Sequence, residues 1–451
     1  MKNMLMKIKD SSVVLYSLLI GIVFIFDRSI VGFMISGQQV GKLIVGIGFL
    51  ATFLFIILRF YNLNLLNLDD YSLSLSILSA IVLTFFISIF LYGTNIFSAY
   101  TFRTSSYIWT ASILYISLVI FQDINKYKKL IDIFIYPILL IPFVHYIFST
   151  GYYPNFVMDF FIKFSDKFTF NKASDIMMTA ISINFVYFKV GKNKYYNLLY
   201  LVFSISLLLP LLLLMSRGSF LSAFVFLFGM LIFHRKYLLS NIRKTLSILL
   251  IGSITFIAST YNIGDVDFNF NPGFGEQTVQ PLNDTIQEIA KKNDTRKAFL
   301  SLYFENGRIV SHDNTTNWRL DIWQDVIEDM NNKNILLRGY GYNEIIPVML
   351  DPSAPGRLGR DGLNENVHNY FINILARGGI FQLLLFTLFH LSVLNVWYQK
   401  NKNLEILIYF IPVMINSSLD ITMEGVQFPF IYYSLLGIFF NFQESHIQKE
   451  E

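Results

Sequence analysis

Apolar residues run along this chain in long uninterrupted blocks rather than alternating every second residue. The blocks lie at 11–27, 41–60, 72–93, 105–121, 129–149, 174–190, 196–215, 218–234, 244–260, 370–396, 403–416 and 427–441. A hydrocarbon core about 30 Å thick is crossed by roughly 20 helical residues, so the pattern predicts about twelve transmembrane helices. The expected fold is an all-α polytopic membrane protein in three parts. Residues 1–260 form a membrane region of about nine helices, 261–369 one large external loop domain, and 370–451 a membrane region of about three helices. Only Ser216-Arg217 separates the blocks ending at 215 and starting at 218, with Gly218 opening the second. That pair reads either as a helical hairpin or as one helix broken at a charged kink shielded by protein.

Composition agrees: 54% of the residues are hydrophobic and 15% charged, which excludes an ordinary soluble domain. A net charge of +4 gives no nucleic-acid footprint. There is no cysteine, so disulfides, thiolate chemistry and cysteine-held metals are excluded. Lys2, Lys7 and Lys9 precede the first block without a small-residue cleavage site, so that block is expected to stay as a helix. The short loops near 122–128, 191–195, 235–243 and 397–402 are rich in Lys and Arg and fall on the same side as the N-terminus. By the positive-inside bias that side is the cytoplasm. The segment 261–369, the loop near 150–173 and Arg217 then lie outside.

The external segment carries ten Lys and Arg against sixteen Asp and Glu, a net charge of −6. Its first part, GDVDFNFNPGFGEQTVQPLNDT, reads as loop. NWRLDIWQDVIEDM follows, with Leu320, Trp323, Val326 and Met330 at helical spacing and Ile322 beside them. A helix is predicted over 318–330, with Thr316 or Asn317 as its cap. Turns at Gly339 and Gly341 come next, then a Gly/Pro/Arg stretch at 351–362 that reads as a mobile loop.

Candidate chemistry gathers at the external ends of the apolar blocks. Arg319 shares a helix face with Trp323 and is expected near the free amides of the helix start, a combination suited to phosphate. The bland reading is an Arg paired with a nearby Asp. Arg217 in SRGS interrupts two apolar runs; a charge so near the bilayer either binds something or snorkels to the interface. In NENVHNYFINILARGG, His368 stands just before a span, with Asn366 as a candidate cap. It exchanges a proton near neutral pH or serves as an interfacial hydrogen-bonding residue. Arg377 follows nine residues on, ~13 Å deeper by helical rise, where it must face protein, water or a lipid phosphate. The histidines are scattered with no HExxH, and there is no Walker motif. Neither a metal nor a nucleotide cofactor is expected.

Together these residues resemble the superfamily of O-antigen polymerases and O-antigen ligases of the bacterial envelope. The resemblance rests on SRGS at 216–219, RLDIW at 319–323, GYG at 339–341, HN at 368–369 and LARGGI at 375–380. It covers the second half of the chain; the first nine spans are similar in hydropathy only. It implies a membrane glycosyltransferase related to the GT-C type, in the bacterial cytoplasmic (inner) membrane with its active site on the external face. It also implies a glycan donor and acceptor on undecaprenyl pyrophosphate, a chain-length regulator as partner, and no cofactor. Carried over by residue, Arg217 and Arg319 would hold the donor pyrophosphate and His368 would stand near the reacting hydroxyl. Trp323, Gly339, Gly341 and Asn369 would support the substrate loop. Position 377 departs from the family pattern, which often has an acidic or variable residue there. Arg377 therefore counts as substrate-binding by position alone. Polymerisation of repeat units into O-antigen or capsular polysaccharide is the expected activity. Ligation of glycan to lipid A–core is the alternative, and transport of lipid-linked sugar the alternative from another class.

Overall fold

A computed structural model describes residues 2–61, 66, 68–150, 154–165, 171–263, 302–311, 314–354, 356–358 and 365–442. The stretch at 264–285 read above as loop lies outside the described residues. Each of the twelve apolar blocks is helical. In order they are α1 (Lys2–Phe26), α2 (Val40–Tyr61), α3 (Ser72–Leu91), α4 (Ser106–Thr110) with α5 (Ile113–Ile120), and α6 (Lys128–Leu139) with α7 (Ile141–Ser149). After the external helix α8 (Asn155–Phe164) come α9 (Ala173–Val190), α10 (Lys194–Met215), α11 (Arg217–Phe233) and α12 (Ile242–Ile263). Past the external helix α13 (Asn314–Asn332), α14 (Tyr370–Asn401), α15 (Ile406–Leu419) and α16 (Gln427–Asn441) complete the bundle. Among the described residues six helices are long and apolar enough to cross a membrane, which marks the chain as a multi-pass membrane protein.

Two blocks expected to be single helices are each two. The break between α6 and α7 lies between Pro137 and Pro142, each of which withholds a helical N–H from the ladder. The SRGS interruption is a hairpin. One extended residue, Ser216, turns the chain and α10 packs against α11.

Burial is inverted relative to a soluble bundle. α9 and α16 are buried along nearly their whole length. On α2, Leu43, Ile47, Leu50, Leu54 and Ile57 form an exposed apolar stripe at helical spacing, and α12 carries another. Such surface is tolerable only against lipid. Polar side chains pair inside instead: Ser182 with Tyr409 at 3.1 Å, Asn184 with Ser204 at 3.0 Å, and Tyr115 donating to Ser74 at 2.8 Å. Gly437 lets α16 reach α5, since a Cβ there would lie 2.6 Å from the Leu114 carbonyl oxygen.

Ion pairs mark the two ends of the bundle. Lys126–Asp10 (2.7 Å), Lys400–Asp70 (2.9 Å) and Lys189–Glu405 join elements at the end carrying the basic loops. Arg28–Asp175 (2.5 Å) and Arg103–Glu365 join elements at the other.

A small hairpin, β1 (Met34–Ile35) and β2 (Gln38–Gln39), lies between α1 and α2, and within 302–369 the described residues begin with an antiparallel hairpin, β3 (Leu302–Glu305) and β4 (Arg308–Ser311), turning through Asn306-Gly307 at positive φ. Helix α13 starts at Asn314, a full turn before the predicted start. Ile322, Val326 and Met330, at i, i+4 and i+8, are its buried stripe. The core they build takes in Leu375 and Ala376 of α14, so the first turns of that helix sit under the external segment. Gly379 then kinks α14 (φ 75). Of the stretch read as a mobile loop, 355 and 359–362 lie outside the described residues; within it Arg357 donates to Val348 O (2.9 Å) and pairs with Asp325.

Arg377 lies two residues before this kink and only 1% exposed. Its guanidinium donates to the carbonyls of Glu344 (2.6 Å) and Gly341 (3.2 Å) and to the Tyr100 hydroxyl (3.2 Å). The charge faces protein, under the external turn rather than deep in a span. Arg377→Ala leaves those acceptors unanswered, and with charged hydrogen bonds near 1.5–3 kcal/mol each it should cost about 3 kcal/mol or more. Thermal unfolding in detergent measures this; a variant as stable as wild type would show that the tie is dispensable.

Candidate functional site

The centre of the external end is the last turn of α15, at Leu419, and the Asp420 that follows. Two of the sequence candidates, Arg319 and His368, reach it, and Gly218 beside a third, Arg217, packs on it.

Arg217 arrives through SRGS. Ser216 caps α11, its hydroxyl accepting from Ser219 N (3.4 Å), so Arg217 is the first residue of the helix. Gly218 lies against Leu419, where an added Cβ would be 3.0 Å from the leucine Cβ. Asn416 donates to the Ser219 hydroxyl (2.9 Å) and locks α15 to α11 at this level.

Arg319 arrives from the external helix α13 and donates to the Leu419 carbonyl oxygen. The expectation that it stands at a helix N-terminus is corrected. It is the sixth residue of α13, because the polar run before it is helical too. Free amides therefore do not accompany it, and the guanidinium alone remains for an anion.

His368 sits between two fixed neighbours. The Val367 carbonyl accepts from the Trp323 indole N–H (2.7 Å). Asn369 caps α14, accepting from Phe371 N (3.0 Å) and Ile372 N (3.1 Å); the cap is thus Asn369 and not Asn366. Between them His368 adopts φ 55, a left-handed conformation uncommon for a side chain of this size. Its ring meets Trp318 edge-on (centroids 5.0 Å), and Nδ1 lies 4.0 Å from Asp420 Oδ1.

Gly339 and Gly341 do a different job. Both have positive φ, and at Gly339 a Cβ would lie 2.5 Å from the Arg377 carbonyl oxygen. They seat the external turn on α14, where Tyr340 N donates to Ala376 O (2.7 Å) and Gly341 N to Arg377 O (3.0 Å).

Four residues missed in the sequence complete the cluster: Arg28, Lys172, Asp175 and Asp420. Arg28 Nε pairs with Asp175 Oδ2 at 2.5 Å, and Nη2 approaches the Ile421 carbonyl oxygen at 3.5 Å. Asp175 also accepts from Gln427 (3.2 Å). Burial opposes the Arg28 charge, but Asp175, Asp420 and Asp27 outweigh it and hold the guanidinium pKa above its usual value. Lys172 is pulled below the usual lysine value, first by the charge of Arg28 and then by desolvation, with Arg319 adding to this. His368 is pushed down to about 3, first by burial and then by the charges of Arg319 and Lys172. These shared influences place Arg28, Lys172, Arg319, His368 and Asp420 in one electrostatic neighbourhood. Fixed cations around a neutral imidazole suit a phosphorylated ligand with a hydroxyl beside it. No group of His, Asp and Glu able to hold a metal ion occurs among the described residues. A signal for Arg28 existed: like SRGS, FDRS sets a charge at the outer end of an apolar block.

The family model described as O-antigen ligase matches residues 201–387 of this chain. That match takes in Arg217, Arg319 and His368 and supports membership of the broad superfamily of bacterial polysaccharide-handling membrane proteins. No curated protein matches the chain.

Two outcomes follow. Asp175 is 1% exposed, so Arg28→Ala strands a buried carboxylate, at a cost of about 3–5 kcal/mol. Asp175→Asn in the same protein should return most of it; equal losses in the single and double variants, read by thermal unfolding, would remove the pair from the fold's energetics. The depressed His368 pKa makes a second case. Its contribution to stability is fully present above the unfolded value of about 6.5 and is lost as pH falls toward about 3, because the unfolded chain takes the proton more readily. The melting temperature of His368→Asn should therefore fall less steeply than wild type between pH 6.5 and 4; parallel slopes would contradict the buried neutral imidazole.

Proposed function

We propose that the chain is a membrane glycosyltransferase that moves glycan from undecaprenyl pyrophosphate to an acceptor hydroxyl. It would work at the external face of the bacterial cytoplasmic membrane, on a scaffold of twelve spans related to the GT-C type. The observation that supports this most is the convergence on Leu419–Asp420 of Arg319, of His368 and of Gly218, the residue next to Arg217, from three elements far apart in the chain.

In this reading the acceptor oxygen attacks the anomeric carbon with inversion. The new C–O bond forms as the bond to the pyrophosphate oxygen breaks. The electron pair leaves on the pyrophosphate, where Arg217 and Arg319, with Arg28 and Lys172 nearby, meet the growing negative charge. The hydroxyl proton passes to neutral His368, which Asp420 faces. Trp323 and Asn369 act through His368 by fixing the backbone on either side of it.

Two acceptors fit this chemistry. Transfer to lipid A–core makes the protein a ligase, the activity after which the matching family is described. Transfer to another lipid-linked repeat unit makes it the polymerase expected from the sequence, with a chain-length regulator as partner. The same cations serve both, so the acceptor has to be read from products. Purified protein is supplied with lipid-linked repeat units, with and without lipid A–core. A ligase gives one transfer onto lipid A–core; a polymerase gives a ladder without it. Arg217→Ala, Arg319→Ala and His368→Ala should each lower product at least about 100-fold, the scale of losing one charge-stabilising group. Protein level should be unchanged. Normal product from any one of them excludes that residue from the reaction, and accumulation of substrate across liposomes without transfer would favour a transporter.

A further inference from the structure

A second cationic feature lies beside the proposed transfer site and has no part in it. A cleft of about 380 Å³ opens between the end of α8 and a small hairpin, β1 (Met34–Ile35) and β2 (Gln38–Gln39). Lys42, Lys163, Gln39 and Ser165 line it, and its size is within the roughly 300–1,000 Å³ of small-molecule sites.

Its rim is apolar and exposed. Phe156, Phe160, Ile162 and Phe164 of α8, with Met34 and Ile35 of the hairpin, all face outward. The inner face of α8 is held by Phe161, which packs on Phe26 (4.8 Å between centroids) and Phe33 (6.1 Å). A short amphipathic helix at the outer end of a membrane bundle, with aromatic residues outward, rests in the headgroup layer. The cleft therefore opens where lipid phosphates lie. Its two lysines are on the side of the membrane that the topogenic bias leaves poor in Lys. Lys42 is in the first turn of α2, where the helix dipole adds to its charge.

Both walls adjoin residues of the cationic centre in the sequence. Phe33 bridges to Ser165, and Arg28 lies five residues before Phe33, Lys172 seven residues after Ser165. Transfer between lipids requires this kind of arrangement. The hydroxyl of a lipid-borne acceptor is at the sugar end of the molecule and its phosphate at the lipid end. An acceptor whose hydroxyl reaches the donor carbon must place its phosphate at a second site.

Resting on the glycosyltransferase reading above, we propose that the Lys42–Lys163 cleft binds the phosphate-bearing head of the acceptor lipid. The test pairs Lys42→Glu/Lys163→Glu with wild type in nanodiscs; both lysines are exposed, so the fold should tolerate the change. Transfer is measured to the lipid-borne acceptor and to a short soluble glycan without lipid or phosphate. The variant should raise KM for the lipid-borne acceptor about tenfold or more, with kcat and the soluble reaction unchanged. An unchanged KM, or equal losses with both acceptors, overturns the proposal. Full competition by phosphatidylglycerol vesicles also overturns it, since the cleft would then hold any anionic lipid. Retention of lipid A–core and of the undecaprenyl-pyrophosphate-linked repeat unit is measured directly on the same nanodiscs. If wild type transfers nothing, the glycosyltransferase reading fails, yet loss of retention in the variant still supports the cleft and equal retention still overturns it.

Discussion

The structure turns on a helix end that cannot be left bare. The last carbonyls of a helix have no intrahelical partner, and at the border of the hydrocarbon an unanswered one is costly. At the end of α15 the chain's own cap and two guanidinium groups supply partners. Asn416 O takes the Asp420 N–H (3.0 Å), Leu419 O takes Arg319 from the external segment, and Ile421 O just beyond faces Arg28 from the first loop. Satisfying one helix terminus thus brings two guanidinium groups together from opposite ends of the sequence. It also docks the external segment onto the bundle by a charged contact.

Charge has to balance in that cluster, and it is balanced unevenly. Arg28 is matched by Asp175 at hydrogen-bonding distance, while Asp420 stands 4.0 Å from the His368 ring. The imidazole is therefore the group that yields: with burial and two cations against protonation, it stays neutral. The left-handed backbone at His368 belongs to the same economy of position. Trp323 holds the residue before it and Asn369 the residue after, so the strain is supported from both sides.

Hydropathy alone located the helices of the twelve long apolar blocks, because a hydrocarbon solvent leaves the backbone little choice but to satisfy itself within each segment, but it read the stretch that holds the short helix α8 as loop. What hydropathy could not place was where such segments leave the membrane. Arg377 looked deep because the apolar run was read as one straight helix from Tyr370. The structure kinks it at Gly379 and buries its first turns under the external segment. Helix starts were misread for a related reason. Asn366 and Asn369 are equal as caps in a sequence, and only the path of the chain lets Asn369 reach Phe371 and Ile372. The candidates at 217, 319 and 368 were visible as polar interruptions of apolar runs. Arg28 and Asp420 interrupt such runs equally, but their partners lie 147 residues away at Asp175 and 52 away at His368. Long-range pairing of that kind leaves no local periodicity to read.

The low proton affinity of His368 looks at first unsuited to the proton acceptor we propose it to be. The causes of that affinity answer the difficulty. Two of the three are the charges of Arg319 and Lys172. A pyrophosphate bound by those cations would cancel them and place its own negative charge beside the ring, so proton affinity would rise when the donor is in place. Burial, the first cause, would persist and keep the ring neutral until a hydroxyl delivered its proton. The same cations that hold the leaving group would then set when the histidine becomes a base. Without a donor the site would hold a weak base beside positive charge, a poor arrangement for activating a stray hydroxyl. Donor binding and acceptor activation would thus be linked through electrostatics alone, with no moving part required.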